Sequence, residues 1–259
     1  MGVNIRSFKL PQYGLTLYRK FFLCCYLQNR PSLQSDQKFT SMAHLVYFNG
    51  RGRGEIVRMM LAASEIPFTE SFLTERKQFE NLLEDGALSF KQVPLLRIDD
   101  MELVQTGAIV RYVARKGGLY SADDKMAAMI DMYYDASRDF QYIFLTLKFL
   151  KTEEQVIADA KAAGDSKYFP ALEKRLKENG TGFLVGNSLT LADVGFLEVL
   201  LMCIEYGGEH FFDDYVEVQK YYQRLISIPS MANFLKSPFR KRKNDDQYIA
   251  EVKLVLNRT

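Results

Sequence analysis

Residues 44–73 read HLVYFNGRGRGEIVRMMLAASEIPFTESFL, and this stretch decides the fold. His44 to Phe48 is strand-like, and the glycine-punctuated run Asn49-Gly50-Arg51-Gly52-Arg53-Gly54 interrupts it as a loop. Helical spacing starts at Glu55 and puts Ile56, Met59, Met60 and Ala63 on one face until Ile66-Pro67 stops it. Phe68 to Leu73 predicts a second strand, so the stretch is a βαβ unit. Further on, Arg76 to Leu83 predicts a helix that Asp85-Gly86 ends. Val93-Pro94-Leu95-Leu96-Arg97-Ile98 and Glu102-Leu103-Val104 predict two strands around the turn Asp99-Asp100. A helix from Thr106 to Lys116 then ends at Gly117-Gly118. The expected order is βαβαββα.

After Tyr120 the period changes. Met126, Ile130, Tyr133, Ser137, Phe140, Phe144 and Leu147 recur at spacings of four and three, the mark of a long packed helix. Further helices are expected over Glu153 to Glu178, Leu191 to Tyr206, Asp214 to Ile226 and Met231 to Leu235, with no strand pattern among them. Thr190-Leu191-Ala192-Asp193 has the spacing of a capping box. Asn244 to Leu256 predicts a short amphipathic tail helix with Ile249, Val252 and Val255 or Leu256 on one face. The fold class is therefore α/β followed by all-α, with a loosely ordered extension over residues 1–41, an α/β domain over 42–119 and an all-helical domain over 120–259.

With 259 residues, 47% apolar and 25% charged, the chain has ordinary globular composition, sufficient for a sizeable core. The net charge of +2 is uneven: residues 1–41 hold six basic residues against one acid, so the remainder is slightly acidic, which argues against a nucleic-acid partner. Three cysteines (Cys24, Cys25, Cys203) and two histidines are too few for a disulfide framework or a self-sufficient zinc site, so no metal is expected and a reducing, cytoplasmic setting is. The apolar runs are too short to span a bilayer, so no stable membrane insertion is expected. The leader begins like a weak signal peptide but has no small-x-small cleavage site after its apolar core; it also has features of a mitochondrial transit segment, and Cys24-Cys25 could take palmitate, while an extra translated stretch before Met42-Ala43 is the simpler account. Arg240-Lys241-Arg242-Lys243 is expected to be a solvated loop.

No H-E-x-x-H, G-x-S-x-G, C-x-x-C or phosphate-loop GK[ST] is present, so any reactive atom should arrive on a cosubstrate that the protein binds and polarises. In this setting the chain resembles the cytosolic glutathione transferases, closest to the alpha class. The likeness runs from about Met42 to the tail helix. It rests on Tyr47-Phe48-Asn49-Gly50-Arg51-Gly52-Arg53, Gln92-Val93-Pro94, Leu103-Val104-Gln105-Thr106, Tyr168-Phe169-Pro170 and Leu184-Val185-Gly186-Asn187 leading into the capping box. It implies a thioredoxin-like first domain and glutathione as cosubstrate.

By resemblance Tyr47 is the catalytic tyrosine, whose phenol hydrogen-bonds the glutathione sulfur and favours the nucleophilic thiolate, and Arg53 adds positive potential beside it. The bland alternative for Tyr47 is a strand-end core aromatic. A cis bond at Val93-Pro94 would expose the Val93 amide and carbonyl to the cysteinyl part of glutathione. Gln105 and Thr106 open a helix whose free amides attract the γ-glutamyl carboxylate, although Thr106 also suits a plain cap. Asp139 and Lys167 would reach that same end from a partner subunit; Lys167 stands where the family commonly has arginine. The alpha-class basic residue for the glycine carboxylate falls on Leu83, which cannot serve, leaving Lys91 beside Gln92 to substitute. Phe90 matches the aromatic key that inserts into a neighbouring subunit, which implies a homodimer. The pocket for hydrophobic electrophiles is expected to draw on Phe48, Gly52, Leu145, Phe149, Val252 and Val255, all of which also suit a core. The expected activity is conjugation of glutathione, with peroxidase or isomerase side activity; the rivals are a ligandin-like carrier of hydrophobic anions and a structural lens-type homologue.

Overall fold

The computed structural model describes residues 42–146 and 149–257; the leader read above, residues 1–41, lies outside them. Strand β1 (Ala43–Tyr47) takes the centre of a four-stranded sheet because nearly every side chain on it is buried. It pairs in parallel with β2 (Phe68–Phe72) and antiparallel with β3 (Leu95–Ile98), which pairs antiparallel with β4 (Met101–Val104); the order is β2-β1-β3-β4. The parallel pair needs a crossover, supplied by α1 (Glu55–Ala63), whose Ile56, Val57, Met59, Met60 and Leu61 are fully buried. Helix α2 (Arg76–Glu84) buries only Phe79 deeply, and α3 (Thr106–Lys116) packs against α1 through its face of Ile109, Val110 and Val113.

The helical half centres on α4 (Asp124–Leu145) against α7 (Leu191–Gly207). Helix α7 is buried around most of its circumference, as its run of apolar residues requires. Its start is fixed by the capping box, with Asp193 Oδ2 accepting from the Thr190 amide and hydroxyl at 2.8 Å each. Asp193 Oδ1 also accepts from the Leu184 amide at 2.9 Å and the Tyr221 hydroxyl at 3.0 Å, so both oxygens are satisfied in the core.

The helical run expected over Glu153 to Glu178 forms, with a π-helical turn inside it. Helix α5 (Glu153–Ala163) passes through a π-helical turn, Gly164–Tyr168, into α6 (Phe169–Asn179). Pro170 has no amide to continue the ladder, and a side chain at Gly164 would collide with the Phe169 ring at 2.4 Å. Helices α8 (Val216–Ser227) and α9 (Pro229–Leu235) follow, and α10 (Asp246–Leu256) packs on α2.

Candidate active site

The register of the sheet decides where the predicted residues meet. The last β1–β3 pair is Val46 with Leu95, and Leu95 in turn pairs with Val104. Tyr47, Pro94 and Gln105 each stand one residue beyond these pairs, so three segments remote in sequence end at the same edge of the sheet. The Val93-Pro94 bond is cis, the condition on which the sequence reading gave Val93 its role. Gln105 occupies the cap position of α3 with φ +70° and makes no side-chain cap bond, so the first amides of that helix are uncapped by it; Thr106 is the first helical residue, not the cap.

The Tyr47 side chain is only 6% exposed. Its Oη accepts a hydrogen bond from the Arg53 amide at 2.9 Å, and its ring meets Phe48 edge-on at 5.3 Å. Burial pushes the phenol above its ordinary pKa, opposed by the Arg53 amide, the Tyr248 hydroxyl and the Arg58 and Arg53 charges. The group therefore stays a neutral donor over the physiological range. Gly52, at φ +39°, is required here: a side chain would lie 2.4 Å from both the Tyr47 and Tyr248 hydroxyl oxygens. Arg53 is exposed and has no ion pair among the described residues.

Tyr248, on α10, stands against Tyr47, a neighbour that the sequence reading missed. Its hydroxyl donates toward Tyr47, and its ring stands perpendicular to Phe48 at 6.3 Å. The spacing Tyr248, Val252, Val255 continues the inner stripe of the tail helix and could have found it. The basic run before that helix is a correction. Arg240 is buried, not solvated, and pairs with both Glu205 and Glu55; Arg51 pairs with Glu205 and donates to the Arg242 carbonyl at 3.2 Å. Lys243 pairs with Glu153 at 2.6 Å, and Arg242 is exposed. These ion pairs fasten the segment leading to α10 against the Gly50–Gly54 loop.

The other expected residues divide. Lys91 and Gln92 are exposed beside half-buried Val93. Asp139 is exposed on α4, and Lys167 lies exposed in the π turn with its ammonium 4.7 Å over its neighbour Tyr168. Phe90 is 64% exposed in its loop. Phe48, Val252 and Val255 are buried in the core, whereas Leu145 and Phe149 are partly exposed. Phe149, with Leu150, Ile249, Ala250 and Lys253, lines an open groove of about 620 Å³ between α10 and the segment joining α4 to α5. Leu83 packs half-buried against the core.

Residues 43–115 match the family model for the N-terminal domain of glutathione S-transferase and residues 138–238 that for its C-terminal domain. The chain is 44% identical to glutathione S-transferase 3 of Gallus gallus over 216 residues, covering 82% of this chain and 93% of the relative. It is 40% identical to glutathione S-transferase alpha-4 of Rattus norvegicus, covering 82% and 96% respectively. Among solved structures, a monomeric glutathione S-transferase of the hookworm Necator americanus superposes with TM-score 0.65 at 25% identity, covering 80% of this chain and all of that one. The chain belongs to the glutathione S-transferase family.

Proposed function

We propose that this enzyme adds the thiolate of glutathione to hydrophobic electrophiles, and that Tyr47 keeps the thiol ionised. The observation that carries the reading is the buried Tyr47 phenol at the sheet edge, with its oxygen already engaged by the Arg53 amide at 2.9 Å. That bond leaves the phenolic hydrogen free to turn to a sulfur bound along Val93. Lowering a thiol pKa from about 8.5 by about 2 units takes about 2.7 kcal/mol of preferential stabilisation of the anion. One hydrogen bond to a charged acceptor supplies about 1.5 to 3 kcal/mol, and the Arg53 charge adds to it. The Val93 backbone takes the cysteinyl unit, Gln105 and Thr106 the γ-glutamyl carboxylate, and Lys91 and Gln92 the glycine end. Since Tyr248 covers Tyr47 in the free protein, the tail helix must yield at that point for the sulfur to approach.

The electrophile fits against Gly52, Leu145 and Phe149, beside the open groove under α10, with Phe48, Val252 and Val255 forming the apolar wall behind. The working form in this proposal is a cytoplasmic homodimer in which Phe90 anchors one subunit in the next and Asp139 and Lys167 reach the neighbouring γ-glutamyl site. Retention on immobilised glutathione together with turnover of chlorodinitrobenzene tests the activity. Retention without turnover supports the carrier instead, and neither retention nor turnover ends the reading.

A further inference from the structure

The amide that engages Tyr47 belongs to the Gly52–Arg53 peptide group, and the other end of that group is held from the helical half of the protein. The Gly52 carbonyl accepts from Gln141 Nε2 at 3.4 Å. Gln141 is 3% exposed on α4 and is itself fixed on both sides. Its Nε2 also donates to Glu198 Oε1 of α7 at 2.9 Å, while its Oε1 accepts from Arg138 Nη1 at 2.9 Å. This pattern leaves one orientation for the amide, oxygen toward the guanidinium and nitrogen toward Gly52. Arg138 closes the ring by donating to Glu198 Oε2 at 2.5 Å and to the Gly195 carbonyl at 2.8 Å. Gly195 permits this approach of α7 to α4, because a side chain there would lie 2.6 Å from Ser137 Oγ.

We infer that Gln141, braced by Glu198 and Arg138, is a positioning residue for Tyr47, acting through the Gly52–Arg53 peptide. Three physical steps connect them. The loop at Gly52 has positive φ and no side chain, so rotation of the following peptide plane is its soft motion. A hydrogen bond on the carbonyl opposes that rotation and keeps the amide aimed at Tyr47 Oη. Accepting at its oxygen also polarises the peptide group, so its N–H donates more strongly, and the phenol that receives the bond becomes a better donor in turn. Glu198 is buried, and its carboxylate polarises the Gln141 amide that starts the chain. The carboxyl is pushed above the ordinary range by burial and drawn back by Arg138.

This role rests on the proposed ionisation of glutathione by Tyr47, and the test separates the two. The measurement is an ultraviolet titration of the thiolate in the enzyme–glutathione complex, for the wild type, Gln141→Leu and Gln141→Met. Both substitutions keep the side-chain volume and remove the donor, and Met, being unbranched, guards against a Leu variant that does not fold. The expected result is a rise of about half a unit in the bound thiol pKa, about threefold in its ionisation constant, from removal of one weak neutral hydrogen bond. The KM for glutathione should be unchanged, and the loss in kcat/KM should be about twofold near pH 6.5, approach about threefold below pH 5.5, and be absent near pH 9, where the thiol is ionised in either case. Phe140→Leu, a buried change on the same helix without contact to the loop, should lower thermal stability and leave the thiol pKa where it was. Identical titration of wild type and both Gln141 variants overturns the positioning role alone, as does an equal shift in Phe140→Leu. A wild type that binds glutathione without ionising it overturns the functional reading beneath.

Discussion

Replacing Tyr47 by Phe removes one oxygen from a site where almost no water competes with it. The phenol–thiolate bond is charge-assisted and worth about 1.5 to 3 kcal/mol, so its loss should raise the bound thiol pKa by about 1.1 to 2.2 units. Starting from a bound pKa near 6.5, the thiolate fraction at pH 6.5 falls from about one half to about 0.6 to 7%, a rate loss of about 7- to 80-fold. At pH 9 the same shift leaves most of the thiol ionised, and the two enzymes should agree within about a factor of two. The substitution has a structural cost as well, because the Arg53 amide and the Tyr248 hydroxyl both lose their acceptor. A stability loss of about 1 to 3 kcal/mol is expected for buried donors left unpaired. The assay is kcat/KM for chlorodinitrobenzene from pH 6 to pH 9, with unfolding followed in parallel. An equal loss at both ends of that range would falsify the ionisation argument, because a phenol acting through packing alone has no pH signature.

Phe90→Ser should shift sedimentation toward the monomer, since an aromatic ring 64% exposed in its own subunit is available to a neighbour; an undiminished dimer, or a wild type that is already monomeric, removes Phe90 from that role. Arg240→Met withdraws the cation shared by Glu55 and Glu205, which keep Arg58 and Arg51 as partners. The expected loss is about 1 to 3 kcal/mol, below that for a fully orphaned buried charge, with earlier proteolysis near α10; unchanged stability would mean that the clasp contributes nothing net. His44 has its pKa lowered by burial and by Arg97, so the fold prefers the neutral ring. That preference stabilises the fold above pH 6.5 and is lost as pH falls through the depressed folded value, whereas His44→Asn should lack this component. Parallel denaturation midpoints for the two proteins between pH 7.5 and 5 would refute it.

What could be read without coordinates was local. The period-two and period-three-to-four patterns placed β1, α1, β2 and the long helix α4, and the proline in Gln92-Val93-Pro94 marked the strand start that completes the site. The capping box at Thr190 was equally plain, because its donors and acceptors lie within four residues. The helical run Glu153 to Glu178 was legible too, but not the π turn within it. Its helical period continues through Tyr168, and only the packing of Gly164 on the Phe169 ring shows where the ladder slips.

The amino-acid order by itself settled which elements form, in what sequence, and that a phenol stands at the end of the first strand. The tertiary structure decided what surrounds that phenol. Tyr248 reaches it from the tail helix, Arg240 buries itself between Glu55 and Glu205, and Gln141 meets the Gly52 carbonyl across 89 positions of chain. Periodicity records only which face of an element is buried. Which polar groups meet on those faces depends on how helices and loops remote in the chain are brought against one another, and a buried donor or charge must find its partner there because water cannot serve it.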